Sequence, residues 1–174
     1  MIEEIKSYFF QKKLKEDISQ NNGKRLLMDF KDTKDIGIAF DASDYSTITA
    51  VRDLELKLKQ DGKKVTIYGY INNSEKKFEP FLITNKNLNW YGYPVKNQLF
   101  DFAKREFDVL FGFFNELQSP LNAIFANSKS KLRIGINYNQ DNNLFDIIIG
   151  SSKINSSKDT IQLLTEFLTT VKTK

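Results

Sequence analysis

A chain of 174 residues with 40% hydrophobic side chains is long enough to bury one sizeable core and short for two, so a single domain over residues 1–174 is the expectation. Its 26 basic and 22 acidic residues leave a formal charge of +4, with both signs mixed and only short clusters such as Lys12-Lys13 and Lys63-Lys64, the pattern of a solvated surface. There is no cysteine and no histidine, which excludes disulfides, thiolate nucleophiles, Cys/His zinc sites, Ser-His-Asp and Cys-His catalysis, and an imidazole switch near neutral pH.

At the N-terminus, Ile2, Ile5 and Phe9 fall on one helical stripe and Phe10, Leu14 and Ile18 on the next, with Asn21-Asn22-Gly23 as a stop. This predicts an amphipathic helix over residues 1–22. Its lysines alternate with Glu3, Glu4, Glu16 and Asp17, which favours packing on the domain or on a partner over lying on a membrane surface. The opening Met1-Ile2-Glu3-Glu4-Ile5 is acidic where a signal peptide is basic, and no apolar run approaches the roughly 20 residues that span a bilayer, so a cytoplasmic protein is expected.

Ile36 to Phe40 reads as a first buried strand, and Asp41-Ala42-Ser43-Asp44 supplies capping residues for a helix carrying Ile48, Val51, Leu54 and Leu58 that Gly62 ends. Lys63 to Ile71 then alternates as a strand, completing one βαβ unit. From Asn72 to Pro94 the pattern weakens; Phe81-Leu82-Ile83 suits a short strand, and an edge hairpin or a long loop is expected there. Val95, Leu99, Phe102 and Ala103 mark a further helix leading into the apolar strand Phe107 to Phe114.

A continuous apolar run flanked by turn residues suits a strand covered on both faces, as parallel sheets require. Ser119-Pro120 opens a short helix ending near Ser128, and strands follow over Leu132 to Tyr138 and Phe145 to Ile149. A terminal helix with Ile161, Leu164, Leu168 and Val171 inward closes the chain. The expected fold is therefore a Rossmann-like α/β domain with a mostly parallel sheet between layers of helices and the N-terminal helix packed beside it.

Ligands of open α/β sheets bind beyond the carboxyl ends of the strands, near the point where strand order reverses. On this reading the rim carries Asp41, Ser43, Asp44, Asn115, Glu116, Ser151, Ser152 and Lys153, with Asn72, Asn73, Asn137 and Asn139 beside them. Asp41 and Asp44 precede a helix, and an acid in that place is more often a cap than a ligand. No glycine-rich phosphate turn is present, since Gly37 lies within its strand and Gly150-Ser151-Ser152-Lys153 is a weak surrogate. No spacing places two acids in a common pocket. No catalytic set, metal site or cofactor is expected.

Aromatic residues make up 13% of the chain, and Trp90-Tyr91-Gly92-Tyr93-Pro94 stands out because it has neither a strand nor a helix period. Trp90, Tyr91 and Tyr93 either cover a sheet edge or serve as a base-stacking platform or a protein-binding contact, and with few lysines or arginines around them the functional reading favours a protein partner.

The segments "DIGIAFDAS", "LKQDGKKVTIYGYI", "NLNWYGYP" and "FDVLFGFFNELQSPLNAIFANSKSKLRIGI" resemble a family of small Bacteroidetes proteins known only as a domain of unknown function. That resemblance covers most of the chain and implies a structural module without catalytic residues to carry over. More distantly, Phe107 to Ile136 and "VRDLELKLKQDGKKVTIYGYI" look like parts of the N-terminal lobe of heptosyltransferase-type glycosyltransferases, whose early Gly-Asp turn is replaced here by Asp41-Ala42-Ser43-Asp44.

The resulting expectation is a non-catalytic binding or assembly module acting through a protein or ribonucleoprotein partner, with no DNA partner. RNA or ribosome association is a third reading, from the modest positive charge and the aromatic segment. The alternative is a degenerate glycosyltransferase-like or nucleotide-sugar-binding domain using the carboxyl-end rim.

Overall fold

The computed structural model describes residues 1–21, 23, 25–26, 29–43, 45–72, 82–95, 97–114, 119–136 and 143–150. Four helices and six strands are laid out along them: α1 (Ile2–Gln20), β1 (Asp35–Asp41), α2 (Tyr45–Gln60), β2 (Lys64–Ile71), β3 (Leu82–Thr84), α3 (Asn97–Ala103), β4 (Val109–Phe113), α4 (Leu121–Ala126), β5 (Leu132–Ile136) and β6 (Ile147–Ile149). The strands form one sheet in the order β3-β2-β1-β4-β5-β6, and every neighbouring pair is parallel. This is the doubly wound Rossmann order, in which the chain works outward from β1 on one side and then restarts on the other.

The strand sequences explain the central position of β1 and β4. Ile36, Ile38 and Phe40 face one way beside Val109 and Phe111, while Ala39 and Leu110 face the other, so both sides of these strands are apolar and both are buried. On one face, α2 brings Val51, Leu54 and Leu58 against that first set. On the opposite face, α1, α3 and α4 bring Phe10, Leu14, Leu99, Phe102, Leu121 and Phe125. A right-handed crossover puts α2 and α4 on opposite faces because β2 and β5 lie on opposite sides of their preceding strands.

Local signals act where they were expected. Gly62 has a φ of 79°, the left-handed conformation that ends α2 after its basic last turn of Lys57 and Lys59. Ser119 Oγ accepts the Leu121 amide at 3.3 Å at the start of α4. Gly37 has no room for a side chain: a Cβ there would stand 2.7 Å from Leu110 and 2.9 Å from Phe107, so the glycine lets those residues close over β1.

Between β2 and α3 the short strand expected around Leu82 and Ile83 is present, and Leu88 and Pro94 close a turn by an antiparallel bridge, while residues 73–81 lie outside the described residues. Leu82–Thr84 pairs parallel to β2 through Gly69, Tyr70 and Ile71 and extends the sheet by one strand, where a hairpin would have made it antiparallel. Three residues are too few to display a period, so the direction of this strand had no signature in sequence. The strand is followed by a one-turn 3-10 helix at Asn85–Asn87, whose Asn87 Oδ1 accepts the Thr84 amide at 3.0 Å. The terminal helix expected around Ile161 to Val171 lies outside the described residues.

Candidate functional site

Two places on this fold were singled out by sequence: the carboxyl end of the sheet and the aromatic segment. Strand order reverses between β1 and β4, so the crevice that doubly wound sheets use for ligands opens past Asp41 and Phe113. Asp41 is the last residue of β1 and half-buried; its Oδ1 accepts the Ser43 amide at 2.8 Å, and Ala42 donates its own amide to the Tyr70 carbonyl at 2.7 Å. The carboxylate thus closes a turn two residues before α2 and does not cap the helix. Ser43 is exposed beside it. Asp44, Asn115, Glu116, Ser151, Ser152 and Lys153 lie outside the described residues, as do Asn73, Asn137 and Asn139. Among the described residues no three acidic groups are gathered as a metal would require.

The aromatic segment is built more fully. Asn89 organises a tight turn: its amide donates to the Tyr93 carbonyl at 2.8 Å, and its Oδ1 accepts the amides of Tyr91 at 3.1 Å and Tyr93 at 2.9 Å. Gly92, at φ 83°, takes the left-handed position the turn needs. The result splits three aromatics between two environments. Tyr93 is 2% exposed and packs on Phe10 of α1 at 5.5 Å between ring centres, whereas Trp90 is 60% exposed.

What fixes this turn to α1 is a buried carboxylate. Asp17, 6% exposed, accepts hydrogen bonds from the Tyr93 hydroxyl, the Asn127 amide at 2.8 Å and the Lys13 ammonium at 2.7 Å. Burial, reinforced by the neighbouring Asp17 carboxylate, pushes the Tyr93 hydroxyl far above the ordinary tyrosine range, so it stays a donor. Lys13 is shifted upward by its hydrogen bond to Asp17. Asn21 extends the clamp by donating to the Ala126 and Ser128 carbonyls, both at 2.9 Å, so α1 is tied to the end of α4 as well.

With α1 so placed, its two apolar stripes separate. Phe10 and Leu14 go into the core and Ile18 packs against it. Ile2, Ile5 and Phe9 stay exposed, with Tyr8 beside them. Phe9, 40% exposed, meets Trp90 edge to face at 5.3 Å and Tyr91 at 6.2 Å, and Tyr8 packs on Phe9 at 5.6 Å. Trp90 and Tyr91 are themselves 5.2 Å apart. The outcome is one continuous aromatic and aliphatic surface contributed by α1 and the 88–94 turn. Sequence reading found the turn residues and the stripe separately; their meeting through Phe9 and Trp90 is a tertiary contact with no local signal.

The chain belongs to the family described as "Family of unknown function (DUF6913)", which matches residues 6–171. No curated protein matches it. Among solved structures it is similar to an exopolyphosphatase-related protein from Bacteroides fragilis, with a TM-score of 0.53 and 19% identity over 79% of this chain. This chain spans 41% of that protein's length, and at such identity the likeness is one of fold. Heptosyltransferase-type enzymes are not named by these matches. For the DUF6913 domain, then, the α/β architecture is established by its own sheet, and among the described residues no helix is long and apolar enough to cross a membrane.

Proposed function

We propose that this DUF6913 chain, taken as one domain over residues 1–174, is a non-catalytic cytoplasmic binding or assembly module that meets a protein partner through the surface of Ile2, Ile5, Phe9 and Trp90. The observation that carries the reading is the exposure of Phe9 and Trp90 packed against each other on a rigidly clamped support. Tryptophan and tyrosine dominate the energetics of protein contacts because they bury a large area while losing few rotamers. A turn held by Asn89 and by the Tyr93–Asp17 bond presents Trp90 with much of its ordering cost already met in the free protein. The absence of histidine and cysteine supports the non-catalytic part of the reading.

Trp90 is the sole tryptophan, so its emission reports on this surface alone. In affinity capture with quantitative identification, the proteins recovered by the wild-type chain are expected to be lost with Trp90→Ala and retained with Leu56→Ala, a change at another exposed apolar residue. An identical set from all three baits overturns the proposal.

A second reading, a small anionic ligand at the carboxyl rim, draws support from the reversal of strand order beside Asp41 and from the exopolyphosphatase-related neighbour. Thermal shift against nucleotides, sugar nucleotides and polyphosphate tests it, because a ligand at 100 times its dissociation constant adds about 2.7 kcal/mol of stability. A rise with any of them that Ser43→Asp, which adds a negative charge at the rim, abolishes favours the rim; a flat screen favours the module.

A further inference from the structure

The parallel sheet gathers the starts of all its strands, together with the carboxyl ends of the intervening helices, at the end of the molecule opposite the rim. Four segments meet there: residues 29–35 leading into β1, 57–64 between α2 and β2, 104–108 between α3 and β4, and 129–133 between α4 and β5. They hold 11 basic and 6 acidic residues, but Lys59 and Arg133 are paired with Glu55 and Asp146 outside them, which leaves a surplus of three. With Glu55 and Asp146 set aside, the other described residues hold 7 basic and 7 acidic ones. Among the described residues the positive surplus therefore lies at this end.

Hydrogen bonds make this pole continuous. Lys64 donates its amide to the Lys34 carbonyl at 2.7 Å, Asp108 to Asp35 at 2.8 Å, Lys131 to Phe107 at 2.9 Å and Lys129 to Ala103 at 3.0 Å. The acids inside the belt are consumed within it: Asp35 lies 3.4 Å from Lys64 and 3.3 Å from Arg105, and Asp108 lies 2.7 Å from Lys131 while accepting the amides of Lys34 and Asp35. Asp32, Asp61 and Glu106 are exposed acids at its edge. Lys31, Lys34, Lys57, Lys104 and Lys129 are exposed, and among the described residues their ammonium groups enter no ion pair.

We propose that this strand-entry end, with Lys34, Lys64, Lys104, Arg105, Lys129 and Lys131 as its belt, is a docking surface for the phosphodiester backbone of a nucleic acid. Adjacent strands stand about 4.8 Å apart, so the belt from β2 to β5 is about 15 Å across and meets several successive phosphates. The ammonium groups of Lys34, Lys104 and Lys129, which enter no ion pair among the described residues, suit phosphate oxygens, whose neutralisation releases condensed counterions. The belt is charged without an apolar wedge, which favours a polyanion over a membrane interior. Part of the surplus complements the negative ends of α2, α3 and α4. That is the competing explanation the experiment must separate, and this proposal is independent of the Trp90 surface.

The test is fluorescence anisotropy of the full chain with labelled single-stranded RNA and duplex DNA of equal length, across 50 to 300 mM salt, an interval chosen because the electrostatic contribution falls steeply within it. Lys104→Glu/Lys129→Glu removes two belt charges that hold no ion pair, and Lys12→Glu/Lys15→Glu makes the same charge change on α1; circular dichroism verifies that both fold. Binding by the wild type is expected to weaken steeply with salt. The belt variant should bind at least about tenfold more weakly at 0.1 M salt with a slope smaller by about 1.4 on single strands, and the α1 variant should bind as the wild type does. A stronger response to RNA or to DNA identifies the source of the backbone. No binding to either, or equal losses in both variants, overturns the proposal.

Discussion

Tyr93 is buried with its hydroxyl donated to a carboxylate, a hydrogen bond that joins the ring contacts in holding the 88–94 turn on α1. In Tyr93→Phe the ring still packs on Phe10, but the buried Asp17 side chain is left with one donor fewer, so a loss of about 1–3 kcal/mol is expected in urea unfolding at pH 7. The pH dependence has a definite sign. Burial raises the folded-state value of this hydroxyl, so the unfolded chain gives up its proton first; the stabilisation is complete below about pH 10 and drains away as pH rises above that. Wild type and Tyr93→Phe should therefore converge in stability from pH 9 to 11, and parallel curves would show that the hydroxyl is not buried against Asp17. Gly62 offers a plainer case: at φ 79° with open space around it, Gly62→Ala should cost about 1 kcal/mol through backbone strain alone.

At the scale of elements, α1 shows what a sequence can and cannot convey. Two stripes roughly 150° apart at 3.6 residues per turn, Ile2/Ile5/Phe9 and Phe10/Leu14/Ile18, are visible in the periodicity, and either suits a core. The choice falls to the second because Asp17 and Asn21 lie on its side and engage Tyr93 and the end of α4, partners more than 70 residues distant in the chain. Strands β1, β2, β4 and β5 and helices α2 and α4 were legible because their apolar runs and stop signals are local; the parallel direction of β3 was not, for want of length. At the strand starts, Asp108 accepts two amides of the chain entering β1 and pairs with Lys131 next to β5. Burial alone would raise its carboxyl, but Lys131 and the amides of Lys34 and Asp35 outweigh that and hold it below the usual aspartate range. A depressed value makes its contribution complete above about pH 4 and lost as pH falls through the folded-state value. Asp108→Asn should consequently be less stable than the wild type at pH 6 and approach it by pH 2, as read by urea midpoints.

At the scale of the whole molecule, the doubly wound topology was legible because a strand buried on both faces needs helices on both faces, and Phe107 to Phe114 displays that demand in eight consecutive residues. The candidate surfaces were legible only in part. Trp90, Tyr91 and Tyr93 stand together in sequence, whereas the partner stripe on α1 and the basic pole are assembled by folding from segments scattered between residues 2 and 133. This separation between what holds the fold and what the fold displays can be measured. Phe111 is fully buried at the centre of the sheet between β1 and β5, and Phe111→Ala should cost about 3–5 kcal/mol in a single cooperative transition, because the cavity opens where two strands and the α2 layer meet. Ile2→Ser/Ile5→Ser, by contrast, removes two side chains that are already in water, so its urea midpoint should stay within the shift of about 0.5 kcal/mol typical of surface changes. If that double variant instead unfolds as readily as Phe111→Ala, the stripe belongs to the core of the isolated chain and the surface built on Phe9 and Trp90 is not free to receive a partner.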